Sequence, residues 1–340
     1  MRVAWLCLQG LGDSLMATPA ISRMKELQPS WDIHVVASQE NCYELFADHP
    51  AVSKSHLFRY WSLGRAALFH DLPNLVSRRF DATVLAYPAV RREYHALAFV
   101  IGAKKKIAHR NPGRRLSFAL MHDSLVDVAA AHNVVNNMNL LAKLDLPVAS
   151  PPPSYSVPPS WFGQKRTGQI GVHVGSMTYK GNELKRWPLE NFVSLCRTLR
   201  SQGLELAFIA GPSEVAETTY VRDQVDPSAR LISGPIGDVV RAVSELSLVI
   251  SGDNGIAHAA SAVETPVVVL FGPTDPAKCA PWGPHVTVVR PSECPPCFDF
   301  GDSAFVCKKR IDARCIRHDI PVQEVARLAL ATLNVLSAEA

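Results

Sequence analysis

No uninterrupted apolar run in these 340 residues approaches the roughly 20 needed to cross a bilayer as a helix, which reads against an integral membrane protein. Internal repeats and low-complexity tracts are missing as well, so the chain reads as ordinary globular sequence. Only 19% of its residues are charged against 47% apolar, a balance richer in core-forming residues than a disordered chain. The basic residues lack the interleaved aromatics or recognition module of a nucleic-acid binder. A secretion signal is mimicked by the apolar start and by Ala17-Thr18-Pro19-Ala20, but Gln9, Gly10, Gly12 and Asp13 interrupt it. The start therefore reads as a first buried strand of a soluble cytoplasmic protein, long enough for two domains that each bury a core.

What is present is alternation. Residues 2–8, 33–37 and 81–86 read as buried strands, with a helix over 15–27 between the first two. Six prolines between Pro147 and Pro159 exclude both helix and central strand and mark a linker. Beyond it, 170–174, 204–210, 246–250 and 267–271 are strand-like, alternating with helical stretches over 189–202, 215–225 and 237–245. A final amphipathic stripe over 321–336 is ready to dock on a core. The expected fold is α/β: two doubly wound Rossmann-like domains, 1–150 and 161–320, facing a cleft, joined by a Pro-rich linker at 151–160.

Four turns at strand ends carry polar groups. Ser251-Gly252-Asp253-Asn254-Gly255, followed by Ile256-Ala257-His258, ends a buried strand and opens a helix. A helix N-terminus there offers free N–H groups and a positive dipole end to a diphosphate, while the plainer reading makes Asp253 a helix cap. His173-Val174-Gly175-Ser176, with Lys185-Arg186-Trp187-Pro188 after it, pairs a small-residue turn with a cation suited to phosphate oxygens. Lys185 and Arg186 read equally as a solvated pair, and Trp187 with Pro188 as a helix anchor. Glu214, after Ala210-Gly211-Pro212-Ser213, suits ribose hydroxyls or a plain helix start. In the first domain, Gln9-Gly10-Leu11-Gly12-Asp13-Ser14-Leu15 lacks the third glycine of the dinucleotide fingerprint, which argues against nicotinamide. Asp13 is then a candidate general base, or a cap.

Charge is uneven. Residues 1–160 hold 17 Lys and Arg against 12 Asp and Glu, and 161–340 hold 18 against 19, so the net +4 belongs to the first half. Within 91–115 stand Arg91, Arg92, Lys104, Lys105, Lys106, Arg110, Arg114 and Arg115 against Glu93 alone. Such a run suits an anionic partner, a phosphorylated lipid headgroup for example, or is a solvated basic face. Four of the eight cysteines, Cys294, Cys297, Cys307 and Cys315, cluster in sequence. In a reducing compartment this pattern reads as a structural zinc or iron site, or as free thiols where the later spacings match no standard module.

Taken together, Gly12-Asp13 with Ala17-Thr18-Pro19-Ala20, then Lys185-Arg186-Trp187-Pro188, then Asp253-Asn254-Gly255 with His258, then Leu270-Phe271-Gly272-Pro273-Thr274-Asp275-Pro276 resemble the bacterial heptosyltransferases of glycosyltransferase family 9. The resemblance runs nearly end to end. It implies a GT-B architecture, an acceptor in the N-terminal domain, a nucleotide sugar in the C-terminal one, and a last helix, 321–340, that packs back on the N-terminal domain. It also implies inverting transfer of heptose from ADP-heptose to the lipopolysaccharide inner core, with no cofactor required. Carried over by position, Asp13 is the general base, Lys185 the diphosphate clamp, and Ser176, Glu214, Asp253, Asn254, Gly255 and His258 the donor site. Arg91, Arg92, Lys104 and Arg110 would hold an anionic acceptor at the cytoplasmic membrane face. Three departures accompany it: Val174 where a proline is usual, Asn254 where a hydroxyl residue is common, and a longer loop over 180–184. Transfer to protein Ser or Thr, and a sugar-nucleotide epimerase or binding protein on the same scaffold, are the alternatives.

Overall fold

The strands that are apolar on both faces are the central ones, as burial between two helical layers requires. In the computed structural model, which describes residues 1–110, 119–163, 167–176, 183–298 and 306–339, the chain divides into two units, Met1–Pro159 and Ser160–Ala340. The first contains β1 (Arg2–Cys7), β2 (Asp32–Ala37), β3 (Lys54–Leu57), β4 (Ala82–Leu85), β5 (Lys105–Arg110) and β6 (Ser124–Asp127), all parallel in the order β3-β2-β1-β4-β5-β6. The second contains β7 (Ile170–His173), β8 (Leu206–Ile209), β9 (Arg230–Ile232), β10 (Leu248–Gly252), β11 (Val267–Leu270) and β12 (Val286–Val289), parallel in the order β12-β11-β10-β7-β8-β9. Two doubly wound Rossmann-like sheets are thus what the alternation specified, and they match the GT-B class that the resemblance implies.

Each sheet reverses its winding once. From β1 the chain moves outward through β2 to β3 and then crosses to β4 on the other side of β1; from β7 it does the same, crossing to β10. The loops that follow β1 and β4, and those that follow β7 and β10, therefore diverge and leave a crevice at the carboxyl ends of the strands. These are the turns that the sequence singles out.

The helix Leu11–Leu27 that leaves β1 contains Pro19, which cannot donate to the Leu15 carbonyl four residues back. The Thr18 hydroxyl donates to that carbonyl instead, at 2.8 Å, and accepts the Ser156 N–H at 3.0 Å. Ser156 lies in the proline-rich stretch, whose Tyr155 and Val157 are buried and whose Ser156 carbonyl accepts from His49 Nε2 at 3.2 Å. The linker is thereby packed on the first unit, and the division falls at its end, between Pro159 and Ser160.

The last helix, Val322–Glu339, is counted with the second unit. Its Val325, Ala326 and Ala329 join the core formed by Ile170, Val172, Leu195 and Val268. The contacts described for this helix are those within the second unit. Among the described residues no helix is long and apolar enough to cross a membrane.

Candidate active site at two strand reversals

At the reversal of the first sheet, Gly10 holds the N-cap position of the helix Leu11–Leu27 and Asp13 stands in its first turn. Asp13 is therefore not the cap, and it is half-buried. Its charge reaches the helix that follows β4: burial pushes the Tyr94 hydroxyl up to about 12, a rise that Arg91 opposes and Asp13 reinforces. Burial likewise takes the Cys42 thiol to about 12, against the Ser14 hydroxyl and with Asp13. Asp13 and Arg91 thus both act on the Tyr94 hydroxyl, with opposite sign.

The other cations expected there separate. Arg92 is exposed at the start of the helix Arg92–Val100, and Arg110 ends β5, its Nε 3.1 Å from Asp127 in an exposed pair. Both lie at the carboxyl side of the strands. Lys104 precedes β5 and so stands at the opposite end of the sheet, with Nζ 2.8 Å from Asp81, which also accepts the Arg2 N–H at 2.8 Å. The structure does not bring Lys104 to the reversal. Arg114 and Arg115, like Lys180, Gly181 and Asn182 of the lengthened loop, lie outside the described residues.

At the reversal of the second sheet the expected donor residues converge. Asn254, not Asp253, caps the helix Gly255–Ala262: its Oδ1 accepts from the N–H groups of Ile256 at 3.0 Å and Ala257 at 3.4 Å. Asp253 instead pairs with Lys185, Nζ to Oδ2 2.9 Å, and accepts the Thr274 hydroxyl at 2.7 Å. Burial would raise the Asp253 carboxyl, but Lys185, Thr274 and the nearby His258 together hold it below the usual carboxylate range. Lys185 Nζ also lies 5.5 Å from the Phe298 ring centroid. An ammonium beside a helix N-terminus and a glycine turn is the inventory that diphosphate oxygens require.

Since the cap fixes the Asn254 amide, its Nδ2 must face the other way, toward the Gly175 carbonyl at 3.0 Å, Ser251 Oγ at 2.9 Å and His173 Nδ1 at 3.0 Å. His173 Nδ1 is then an acceptor, which leaves Nε2 as the nitrogen that donates to Glu214, at 3.0 Å. Glu214 Oε2 accepts the Gly211 N–H as well, at 3.0 Å. A Cβ on Gly175 would stand 2.3 Å from the Glu214 carboxyl carbon, and one on Gly211 2.9 Å from its Oε2. Both glycines give up a side chain so that this carboxylate fits between the loops after β7 and β8. Glu214, expected on a ribose, is thus a buried brace; burial would raise its carboxyl, but His173, the Gly211 N–H and Arg186 bring it below the ordinary range.

Arg186 is a further member that sequence reasoning left as a solvated loop cation. Its Nε donates to the Ser176 carbonyl at 3.0 Å, a second guanidinium nitrogen contacts the same carbonyl, and Nη1 pairs with Glu217 at 2.6 Å. Ser176 is held at the turn by this clamp. The neighbouring Trp187 is the helix anchor expected of it, buried, with Nε1 donating to the Ile320 carbonyl at 3.2 Å. Nothing in the spacing of His173 or Arg186 announces these roles; the signal is only their adjacency to the glycine turn.

All eight cysteines are free thiols. Cys294 and Cys297 lie close enough to Cys315 that, after burial, they are the charges that take its thiol to about 12. Burial would raise the Cys307 thiol, but backbone N–H groups of Ala313, Ile311, Lys309 and Arg310 bring it below its ordinary value. Among the described residues no group of three or more His, Cys, Asp or Glu is disposed to hold a metal ion, so the zinc or iron expected at Cys294, Cys297, Cys307 and Cys315 finds no support in the geometry.

Known proteins match this arrangement along most of the chain. The chain is 23% identical over 288 residues to lipopolysaccharide heptosyltransferase 3 of Escherichia coli, covering 80% of this chain and 83% of that protein. It is 22% identical over 311 residues to lipooligosaccharide heptosyltransferase 2 of Haemophilus influenzae, covering 82% and 86%. The solved structure of the E. coli heptosyltransferase WaaC with ADP-2-deoxy-2-fluoro heptose shares the fold, with a TM-score of 0.77 at 19% identity over 97% of this chain and 99% of that one. The sequence model of glycosyltransferase family 9 (heptosyltransferase) matches residues 77–305, from the crossover before β4 through the second reversal. The chain belongs to glycosyltransferase family 9, and it is a glycosyltransferase.

Proposed function

We propose that this enzyme transfers heptose from ADP-heptose to a hydroxyl of the lipopolysaccharide inner core, with inversion at the anomeric carbon, as a peripheral protein of the cytoplasmic membrane face. The observation that carries the reading is the Lys185–Asp253 pair beside the N-terminus of the helix Gly255–Ala262, at the second reversal. The names of the relatives and the ADP sugar held by the WaaC structure support the choice of donor and acceptor.

In this reading the acceptor hydroxyl gives its proton to Asp13 as its oxygen bonds to the anomeric carbon, while the bond from that carbon to the diphosphate breaks on the opposite face. Negative charge grows on the departing ADP. The N–H groups at the start of the helix Gly255–Ala262 and the Lys185 ammonium meet that charge, and preorganised groups at the leaving group lower the barrier most. Lys185 is the cation of the leaving group; Asp253 and Thr274 hold it in place until the diphosphate arrives. Arg91 and Arg92 serve the phosphorylated acceptor.

Thermal shift against a panel of nucleotide sugars tests the donor: ADP-heptose should raise Tm where other nucleotide sugars do not, by mass action on the native state. Asp13→Asn should keep that shift and lose transfer to a phosphorylated core oligosaccharide by about 10²- to 10⁴-fold. Unchanged turnover in Asp13→Asn would remove the base, and transfer to Ser or Thr of a polypeptide in place of the oligosaccharide would overturn the acceptor.

A further inference from the structure

Between β3 and β4 the chain forms a helical run, Tyr60–Leu63, Gly64–Ala66, Ala67–His70 and Leu72–Ser77. Ala67, Asp71 and Leu75 recur every fourth residue and are its buried stripe. Ala67 and Leu75 join Tyr94, Leu97 and Ala98 of the helix Arg92–Val100 in one core cluster, so both segments cover the same side of the first sheet. The ordinary rule for such a layer is an outward face of polar residues. Here the outward face carries Phe69 at 81% exposure, Leu68 at 41% and Val76 at 43%, and the neighbouring helix adds Phe99 at 50%.

The charges around this face are predominantly basic, with Glu93 exposed beside Arg92 and Glu40 close enough to act on Arg59. Residues 59–79 contain four arginines and one acid, and that acid, Asp71, is turned inward and bound by Arg59 at 2.5 Å. Arg65 is exposed within the run, Arg79 just beyond its end, and Arg92 at the head of the adjoining helix. Outward phenylalanine and leucine among guanidinium groups, with the run's own carboxylate withdrawn, is the composition of a surface that lies in a headgroup layer. A second protein copy would leave these arginines facing arginines.

We propose that this face, centred on Leu68 and Phe69, docks on an anionic lipid membrane, the two side chains entering the acyl boundary while Arg65, Arg79 and Arg92 meet lipid phosphates. The inference rests on the proposed function for its purpose, since an acceptor anchored in lipid is met at a surface. The run begins at the carboxyl end of β3, the side of the sheet on which Asp13 stands, so docking brings the acceptor edge toward the membrane.

Flotation of the full chain with vesicles that contain no acceptor sugar tests this. Vesicles of phosphatidylethanolamine and phosphatidylglycerol, mixed about three to one, should carry the protein up the gradient, and phosphatidylcholine vesicles should not. Leu68→Ser/Phe69→Ser should lose at least about tenfold in partition, given the area removed from the acyl boundary. Arg65→Gln/Arg79→Gln should bind more weakly and with a shallower dependence on salt. Both variants should keep the Tm shift with ADP-heptose, which reports an intact fold. Absence of wild-type flotation, equal flotation of Leu68→Ser/Phe69→Ser, or a wild-type oligomer that this variant converts to monomer would each overturn the proposal. Because neither donor nor acceptor is present, failure here leaves the transfer assay standing, and failure of that assay leaves the flotation result standing.

Discussion

A single carboxylate can be read two ways from sequence, and its neighbours decide which. Glu214 follows a strand in the place where nucleotide sites put an acid on ribose, yet both loops around it have shed side chains to admit it as a brace for His173. Its contribution to donor binding is then indirect, through the turn at Gly175 and Ser176. Gly175→Ala should displace the carboxylate and weaken ADP-heptose binding. Glu214→Ala should weaken it too, and the double variant should cost clearly less than the sum, since one substitution removes the obstacle created by the other. Strict additivity of the donor Kd values would show that the two positions do not meet. For Asp13 the sequence left two readings, a cap or a base; the cap position falls to Gly10, which removes the first.

Elements with a single strong pattern were readable, and those built from mixed residues were not. Continuous Val, Ile and Leu runs specified β1, β2, β7, β10 and β11 to within a residue or two. Lys54-Ser55-His56-Leu57 and Arg230-Leu231-Ile232 form the edge strands β3 and β9, where one side meets solvent and a polar residue costs nothing, so they carry no signature. The helical run over 60–77 escaped notice because Gly64 and Pro73 punctuate it and its outward face is apolar. The helix Gly255–Ala262 shows how much hangs on one cap. Asn254→Ala removes the acceptor for two N–H groups and should cost about 1 kcal/mol in chemical denaturation, while also releasing His173 and loosening donor binding. Asn254→Asp retains the cap but puts an oxygen where Nδ2 donates to the Gly175 carbonyl and His173, so it should lose about 1–3 kcal/mol as well, and the added negative charge at the proposed diphosphate site should lower ADP-heptose affinity. A variant that loses stability but binds donor normally would separate the cap from the site.

At the scale of the whole molecule, the two units should respond differently to acid. Burial lowers His49, His56, His109 and His122, all in the first unit, to about 4 each. Each is neutral when folded and takes up a proton more readily when unfolded, near the usual value of about 6.5, so the unfolded state binds more protons below that pH. Their contribution is complete above about 6.5 and declines as pH falls toward about 4. In the second unit Asp253 and Glu214 are held below the ordinary carboxylate range, so the stability they contribute persists until pH falls through those lowered values. Hydrogen exchange should therefore show amides of β1 and β2 losing protection at a higher pH than those of β7 and β10; the reverse order would refute the assignment. The two sheets also share one strand order about their reversals, and each described ladder closes within its own unit. Recombination between relatives near Ser160 would leave both described ladders whole, so under the proposed function preference for the sugar and preference for the recipient would be inherited as separate parcels and reshuffled by a single crossover.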